Sequence, residues 1–252
     1  MTNADIFQIA YLQSSIDCNA RPEDFIKDHY IIHDSVPNDQ ARKYLTLPQN
    51  LDFISYGKNI IASVNPSNSA LQDAAKAYLE MYKQNPAYAF TLPDIHDLDA
   101  LIRPLGYQVY YQSEFFLPDM KRLTALSCPY EIRIVKKEEL EQFYLPQWEN
   151  ALTQKRKHLN ELALGAYDHD KLVGLAGATR DCETMWQIGI DVLPEYRKQG
   201  IAAALTSQIC LLLLEKGIVP FYSVVWSNLL SVKNAYKSGL QPAWVELTAK
   251  PI

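Results

Sequence analysis

Residues 190–205 read IDVLPEYRKQGIAAAL: an apolar extended end, a proline turn, two adjacent cations, a glycine and then a run of small residues. This order predicts a strand closing at Val192 and a helix opening near Gly200 and running to about Lys216, with Gly217 as the residue just past its end. The first N–H groups of such a helix have no partner within it, and the helix dipole places about half a positive charge there. An anion is the natural partner. Gly200 lets main chain approach a ligand without a Cβ in the way, Ala202 keeps the first turn uncrowded, and Arg197 and Lys198 add charge, so a pyrophosphate suits the turn. The same residues would also serve a plain strand-to-helix turn with two solvated cations. Neither GxxxxGK[ST] nor GxGxxG occurs in the chain, so the other common phosphate loops are excluded.

Outward from this stretch, residues 131–135 predict a strand, followed by a helix opening near Lys137. Segments 161–167 and 171–179 predict a hairpin around the turn Asp168-His169-Asp170, and residues 185–192 predict a further strand. After the long helix come a strand over 219–226, a helix over 229–238 and a strand over 243–247. Strands and helices alternate behind an antiparallel meander, an α/β pattern with a mixed sheet. The first half predicts a helix from Arg21 to about His33, a strand at 58–64, a helix over 71–84 capped from the NPSNS cluster, a short helix at 94–102 and a strand at 107–116. Residues 117–129, LPDMKRLTALSCP, carry two prolines and no period, and predict a linker. The division expected is an accessory α/β domain over 1–128 and a second domain over 129–252.

The chain has 252 residues, which at about 150 per domain favours two domains. With 48% apolar and 21% charged residues it has the make-up of an ordinary globular protein, which excludes disorder, collagen and coiled coil. Its net charge of −5 gives no generic attraction to nucleic acid or anionic lipid, so neither partner is expected. Cys18, Cys128, Cys182 and Cys210 form no CxxC or Cys/His spacing, so neither zinc nor a disulfide framework is indicated and no metal is expected. His29 and His33, spaced one helical turn apart, read as an exposed helix face, and Tyr107, Tyr110 and Tyr111 as sheet residues. The opening residues MTNADIFQIAYLQSS lack the basic segment and apolar core of a signal peptide. The stretch at 201–214 is interrupted by Thr206, Ser207 and Gln208 and is too short to span a bilayer. A reduced, cytoplasmic setting is expected.

Arg197-x-x-Gly200-x-Ala202, following a strand that ends Val192-Leu193-Pro194, resembles the acyl-CoA pyrophosphate motif of the GCN5-related N-acetyltransferases, the GNAT superfamily. The resemblance continues in SNLLSVKNAYKSGL, where Asn228, Ser231, Tyr236, Lys237, Gly239 and Leu240 are similar to the family's second cofactor motif. It covers residues 130–252, and the wording around Trp244 is similar to a bacterial two-domain branch. The resemblance implies a GNAT-like acyl-CoA fold for that half and acetyl-CoA as co-substrate. Main chain at Ile190, Asp191 and Val192 would pair with the pantetheine arm between two splayed parallel strands. N–H groups from Arg197 through Lys198, Gln199, Gly200 and Ile201 to Ala202 would hold the pyrophosphate, and Asn228 and Ser231 would face the pantetheine part. Tyr236 matches the family's general acid; a phenol of pKa about 10 can protonate a departing thiolate only when held close to the sulfur. A tyrosine packed into the core is the plainer reading of the same position.

A primary amine of pKa about 10.4 is protonated at neutral pH, so something must accept its proton. In several family members that group aligns with Trp186 and Ile188 here, neither of which can do so. Glu183, just before the strand, is the first candidate base and Glu246 the second, while alternation turns Asp191 to the opposite face. The function expected is transfer of an acetyl group from acetyl-CoA to the amine of a small molecule or peptide, by direct attack in a ternary complex. The alternative is a non-catalytic acyl-CoA-binding sensor that kept the pocket without a base. A homodimer is compatible with either. The pattern LIRPLGYQVYYQSEFFLP faintly parallels YKSGLQPAWVELTAKP, which suggests that the first half is a degenerate GNAT-like copy without a second cofactor site.

Overall fold

The computed structural model describes all residues 1–252. The chain forms two compact units, one of Met1–Ile6 with Phe116–Pro242 and one of Phe7–Phe115 with Ala243–Ile252. Its elements are α1 (Asn3–Cys18), β1 (Ile31–Asp34), β2 (Leu51–Ser55), β3 (Ile61–Val64), α2 (Ser69–Tyr82), α3 (Leu92–Ile102), β4 (Tyr107–Pro118), β5 (Glu131–Lys136), β6 (Asn160–Asp168), β7 (Lys171–Thr179), β8 (Met185–Val192), α4 (Ile201–Glu215), β9 (Val219–Val224), α5 (Leu229–Lys237) and β10 (Leu240–Pro251). The class is mixed α/β, with parallel and antiparallel strand pairs.

In the unit that carries the Arg197 turn, the strands run in the order β9-β8-β7-β6-β5, antiparallel except for the β8–β9 pair. On one face, α4 lays Ile201, Leu205, Ile209 and Leu213 onto Val173, Ala176, Ile188 and Tyr222. On the other, Trp148, Ala151 and Leu152 cover Ala163 and Leu175. The approach there is close: a Cβ on Gly189 would sit 1.9 Å from the Asn150 carbonyl oxygen, so only glycine fits. Gly217 ends α4 in the left-handed region as expected (φ 78°).

The other unit orders its strands β1-β3-β2-β10-β4, with β1 parallel to β3 and β2 antiparallel to both β3 and β10. Asn68 caps α2 by accepting from the Leu71 N–H at 3.0 Å, as the NPSNS cluster predicts. Leu71, Ala75, Tyr78 and Leu79 of α2 then pack on Phe53, Ala62 and Leu247.

Three expectations fail. The helix expected from Arg21 to His33 is a single 3₁₀ turn (Pro22–Ile26) followed by β1, in which His33 contacts Asp24 at 3.2 Å instead of sharing a helix face with His29. The helix expected from Lys137 is likewise a 3₁₀ segment, Lys137–Phe143. The expected linker is held structure: Leu123 is buried, the Leu126 N–H donates to Ser207 Oγ (3.2 Å), and Gln208 Nε2 donates to the Leu126 carbonyl (2.9 Å). The polar residues that interrupt the apolar run of α4 are the ones that bind this segment. Accordingly the compact unit opens at Phe116 rather than at residue 129, and the chain from Ala243 onward belongs with the other unit.

Candidate active site

β8 pairs with β7 along residues 187–192, but its parallel ladder with β9 covers only Met185–Gln187 against Val219–Phe221. From Ile188 onward the β9-facing edge of β8 is open. Gln187 Nε2 donates to Ser223 Oγ at 2.8 Å and marks the crotch of the opening. Beyond it lies a cleft of about 430 Å³, bounded by Ile190 and Val192 of β8, the turn into α4, Tyr222 of β9, and α5.

The turn is an anion cradle built from main chain. Lys198 (φ 64°) and Gly200 (φ 86°) both adopt the left-handed conformation. An L side chain there costs about 1–2 kcal/mol, so Lys198 holds stored strain while Gly200 does not. The first backbone bond of α4 is from the Ala204 N–H to the Gly200 carbonyl at 3.0 Å, which leaves the N–H groups of Ile201, Ala202 and Ala203 ahead of it without helical partners. No side chain caps this helix and no acidic residue stands in its first turn. Arg197 Nε donates to the Val192 carbonyl at 3.1 Å and ties the turn to the strand end.

The opposite wall is α5. Asn228 caps it by accepting from the Ser231 N–H at 3.3 Å, and Asn234 Nδ2 donates to Thr206 Oγ1 of α4 at 3.0 Å. Tyr222 is 5% exposed and its hydroxyl bonds with Ser231 and Asn234. Burial raises its phenol above the ordinary value, against those two hydrogen bonds. Arg197, Lys198, Lys233 and Lys237 line the cleft, and neither carboxylate nor imidazole does.

Of the residues singled out in the sequence, the cleft gathers Ile190, Val192, Arg197, Lys198, Gly200, Ile201, Ala202, Asn228 and Ser231. Asp191 is turned to the other face, where it accepts from the N–H groups of Asn150 and Ala151 (both 2.9 Å) and from Asn150 Nδ2 (2.7 Å). Gln199 accepts from the Tyr130 hydroxyl at 2.9 Å. Tyr236 does not line the cleft; its half-buried ring meets Phe116 edge-on at 5.5 Å. Glu183 stands outside as well, its side chain 80% exposed and paired with Arg180 Nη2 at 2.5 Å. Glu246 belongs to the other unit. Trp186 is half buried with its Nε1 unpartnered, and Ile188 is core. The sequence reading passes over Tyr222, Lys233 and Asn234. Strand alternation puts Tyr222 on the same face as Val224, toward α4, and the spacing of Ser231, Asn234 and Lys237 marks one face of α5.

A model of the GNAT acetyltransferase family matches residues 55–242. The chain belongs to the GNAT acetyltransferase family. The match of this GNAT chain reaches back to β2, whereas the sequence motifs begin only near Tyr130. Similar solved structures include a GNAT-family acetyltransferase from Colwellia psychrerythraea (16% identity, 75% of this chain and 76% of that one, TM-score 0.47). Others are a GCN5-related N-acetyltransferase from Sphaerobacter thermophilus (16%, 76% and 72%, 0.47) and a conserved protein of unknown function from Staphylococcus epidermidis (18%, 86% and 93%, 0.48). No curated protein matches the chain. No group of His, Cys, Asp and Glu in this GNAT member could hold a metal ion, and no helix is long and apolar enough to cross a membrane.

Proposed function

We propose that the chain transfers an acetyl group from acetyl-CoA to a primary amine by direct attack within a ternary complex. The observation that carries this reading is the cleft itself, where an open strand edge leads into a cradle of free N–H groups flanked by cations. A long, thin ligand with a diphosphate at one end matches that shape and charge. Acetyl-CoA bound there would supply an activated acyl thioester.

The remaining roles fall to this chain's residues. The open edge at Ile190–Val192 offers main-chain groups to an extended amide arm, as another strand would, and one of its N–H groups serves as the oxyanion donor. Ile201, Ala202 and Ala203 bind phosphate oxygens through N–H, with Arg197 and Lys198 supplying charge. Asn228 and Ser231 face the arm from α5; Tyr236 lies outside the cleft lining, so the leaving thiolate takes its proton from solvent. With Glu183 outside the cleft, the amine loses its proton to solvent before it attacks.

A second reading, a non-catalytic acyl-CoA sensor, is favoured by one observation: no carboxylate or imidazole lines the cleft. Titration calorimetry with acetyl-CoA, followed by a thiol-release assay over a panel of amines, separates the two. Turnover on any amine supports the transferase. Binding with no turnover on any acceptor supports the sensor, and no binding at all sinks both.

A further inference from the structure

The unit of Phe7–Phe115 with Ala243–Ile252 carries a cavity of its own. Its volume is about 670 Å³, the size of a small-molecule site, and all of its lining comes from residues 81–94: the end of α2, the 3₁₀ turn Pro86–Phe90 and the start of α3. Met81 and Tyr88 bring apolar surface to it and remain 53% and 56% exposed, so nothing in the fold covers them. Asp94 brings charge. Its Oδ2 accepts from the Thr91 hydroxyl, and its Oδ1 lies 3.0 Å from the Tyr82 hydroxyl, which is also 3.1 Å from Asp97 Oδ2. One phenolic proton serves only one of these two carboxylates at a time. Neither aspartate has an ion-pair partner, Lys83 is held by Glu80 at 2.8 Å, and the lining contains no lysine, arginine or histidine. The dipole at the start of α3 offsets about half of one charge, so the cavity stays negative beside two tyrosine rings. Asp94, in the first turn of α3, is explained by that helix alone; Asp97 and the uncovered Tyr88 and Met81 are not.

We infer that this cavity binds a small organic ammonium ion, with Tyr82, Tyr88 and the Met81 thioether around its carbon substituents and Asp94 and Asp97 balancing its charge. A cation is drawn to the negative face of a tyrosine ring, and a neutral molecule of the same shape is not. Two rings and two carboxylates together favour the cation by about tenfold. The inference does not depend on the acyl-CoA reading, because every residue it uses lies within 81–97.

Choline and its neutral isostere 3,3-dimethyl-1-butanol, in which carbon replaces the ammonium nitrogen, are the probes. Methionine occurs four times in the chain, so ¹³C labelling of the methionine methyls gives a simple spectrum in which Met81→Leu identifies the Met81 signal. In the full chain that signal should shift saturably with choline, at a concentration about tenfold below the one the isostere requires. Tyr88→Leu keeps apolar bulk and removes the ring, and Asp94→Asn/Asp97→Asn keeps the shape and removes the charge. Each should bring the two half-saturation points to within about threefold of one another. A Met81 signal that choline leaves in place, an equal response to the two probes, or a preference that survives in both variants overturns the site. Thermal melts separate a lost site from a lost fold, and the comparison of the two probes on wild type decides the question without any variant.

Discussion

Arg197 Nε lies 3.1 Å from the carbonyl oxygen of Val192, so the charge at the mouth of α4 is anchored to the last residue of β8. The guanidinium therefore does two things: it satisfies a carbonyl at the end of the open strand and fixes the path of the turn. Arg197→Met should weaken acetyl-CoA binding by about ten- to a hundredfold in calorimetry. Arg197→Lys restores charge without the planar donor set and should recover only part of it. Full recovery with lysine would show that charge alone matters and that the anchor does not.

Gly200 sits at φ 86° with open space where a Cβ would point, so substitution there is opposed by backbone conformation and not by a clash. Gly200→Ala should cost about 1–2 kcal/mol in urea denaturation. The same change should weaken cofactor binding, because relief of the strain turns the N–H groups away from the cradle. An alanine variant with unchanged stability and unchanged affinity would mean that the left-handed turn is not what shapes the site.

Much of this site is legible in sequence because it is local. The Arg197-to-Ala202 turn, the hairpin around His169 and the Asn228 cap are each set by a few adjacent residues with strong conformational demands. What is not legible depends on distant partners. α1 gives no amphipathic signal because the stripe it buries, from Ile6 and Ala10 to Gln13, Ser14 and Asp17, turns polar halfway along. β2 shows no alternation because all five of its residues are buried. The place of Tyr236 behind the cleft wall depends on Phe116, 120 positions earlier, and no spacing rule reports that. Glu183 looks suitable as a base in one dimension, and only its pairing with Arg180 shows it spent at the surface.

The absence of a proton acceptor from the cleft lining has a kinetic signature. If solvent deprotonates the amine, kcat/KM should rise tenfold per pH unit with the free-amine fraction, up to the pKa of the acceptor near 10. No inflection from a carboxylate or a histidine should appear between pH 5 and pH 8. Glu183→Gln should change kcat/KM by less than about twofold. A plateau setting in near neutral pH, or a hundredfold loss on that substitution, would restore an enzyme-borne base.

The unit of Phe7–Phe115 with Ala243–Ile252 carries a buried charge cluster whose titration should govern stability. Arg42, 1% exposed, pairs with Asp17 at 2.7 Å and lies 3.9 Å from Glu246, while Asp52 Oδ1 has no hydrogen-bond partner. Two carboxyls thus share one guanidinium, and the third, Asp52, is buried with no cation shown against it. Burial pushes Asp52 well above its ordinary value, reinforced by Glu246 and Asp17, and pushes Glu246 up to about 6 against the pull of Arg42. A carboxyl whose pKa is raised on folding holds its proton more tightly in the native state, so its contribution is full below the unfolded value and is lost as pH rises through the folded one. For Glu246 the loss runs from about pH 4.5 to just above pH 6 and amounts to about 2 kcal/mol. Asp52 adds a further decline in the same direction. Asp52→Asn keeps the shape and removes that charge, so it should flatten the fall in stability between pH 5 and pH 8 and leave the protein at least as stable at pH 8. Asp17→Asn leaves the guanidinium without its close partner and should cost about 3–5 kcal/mol. Urea melts at pH 5, 6.5 and 8 measure both. A steeper decline in Asp52→Asn than in wild type would show that Asp52 is ionised in the native state and that its negative charge stabilises Arg42.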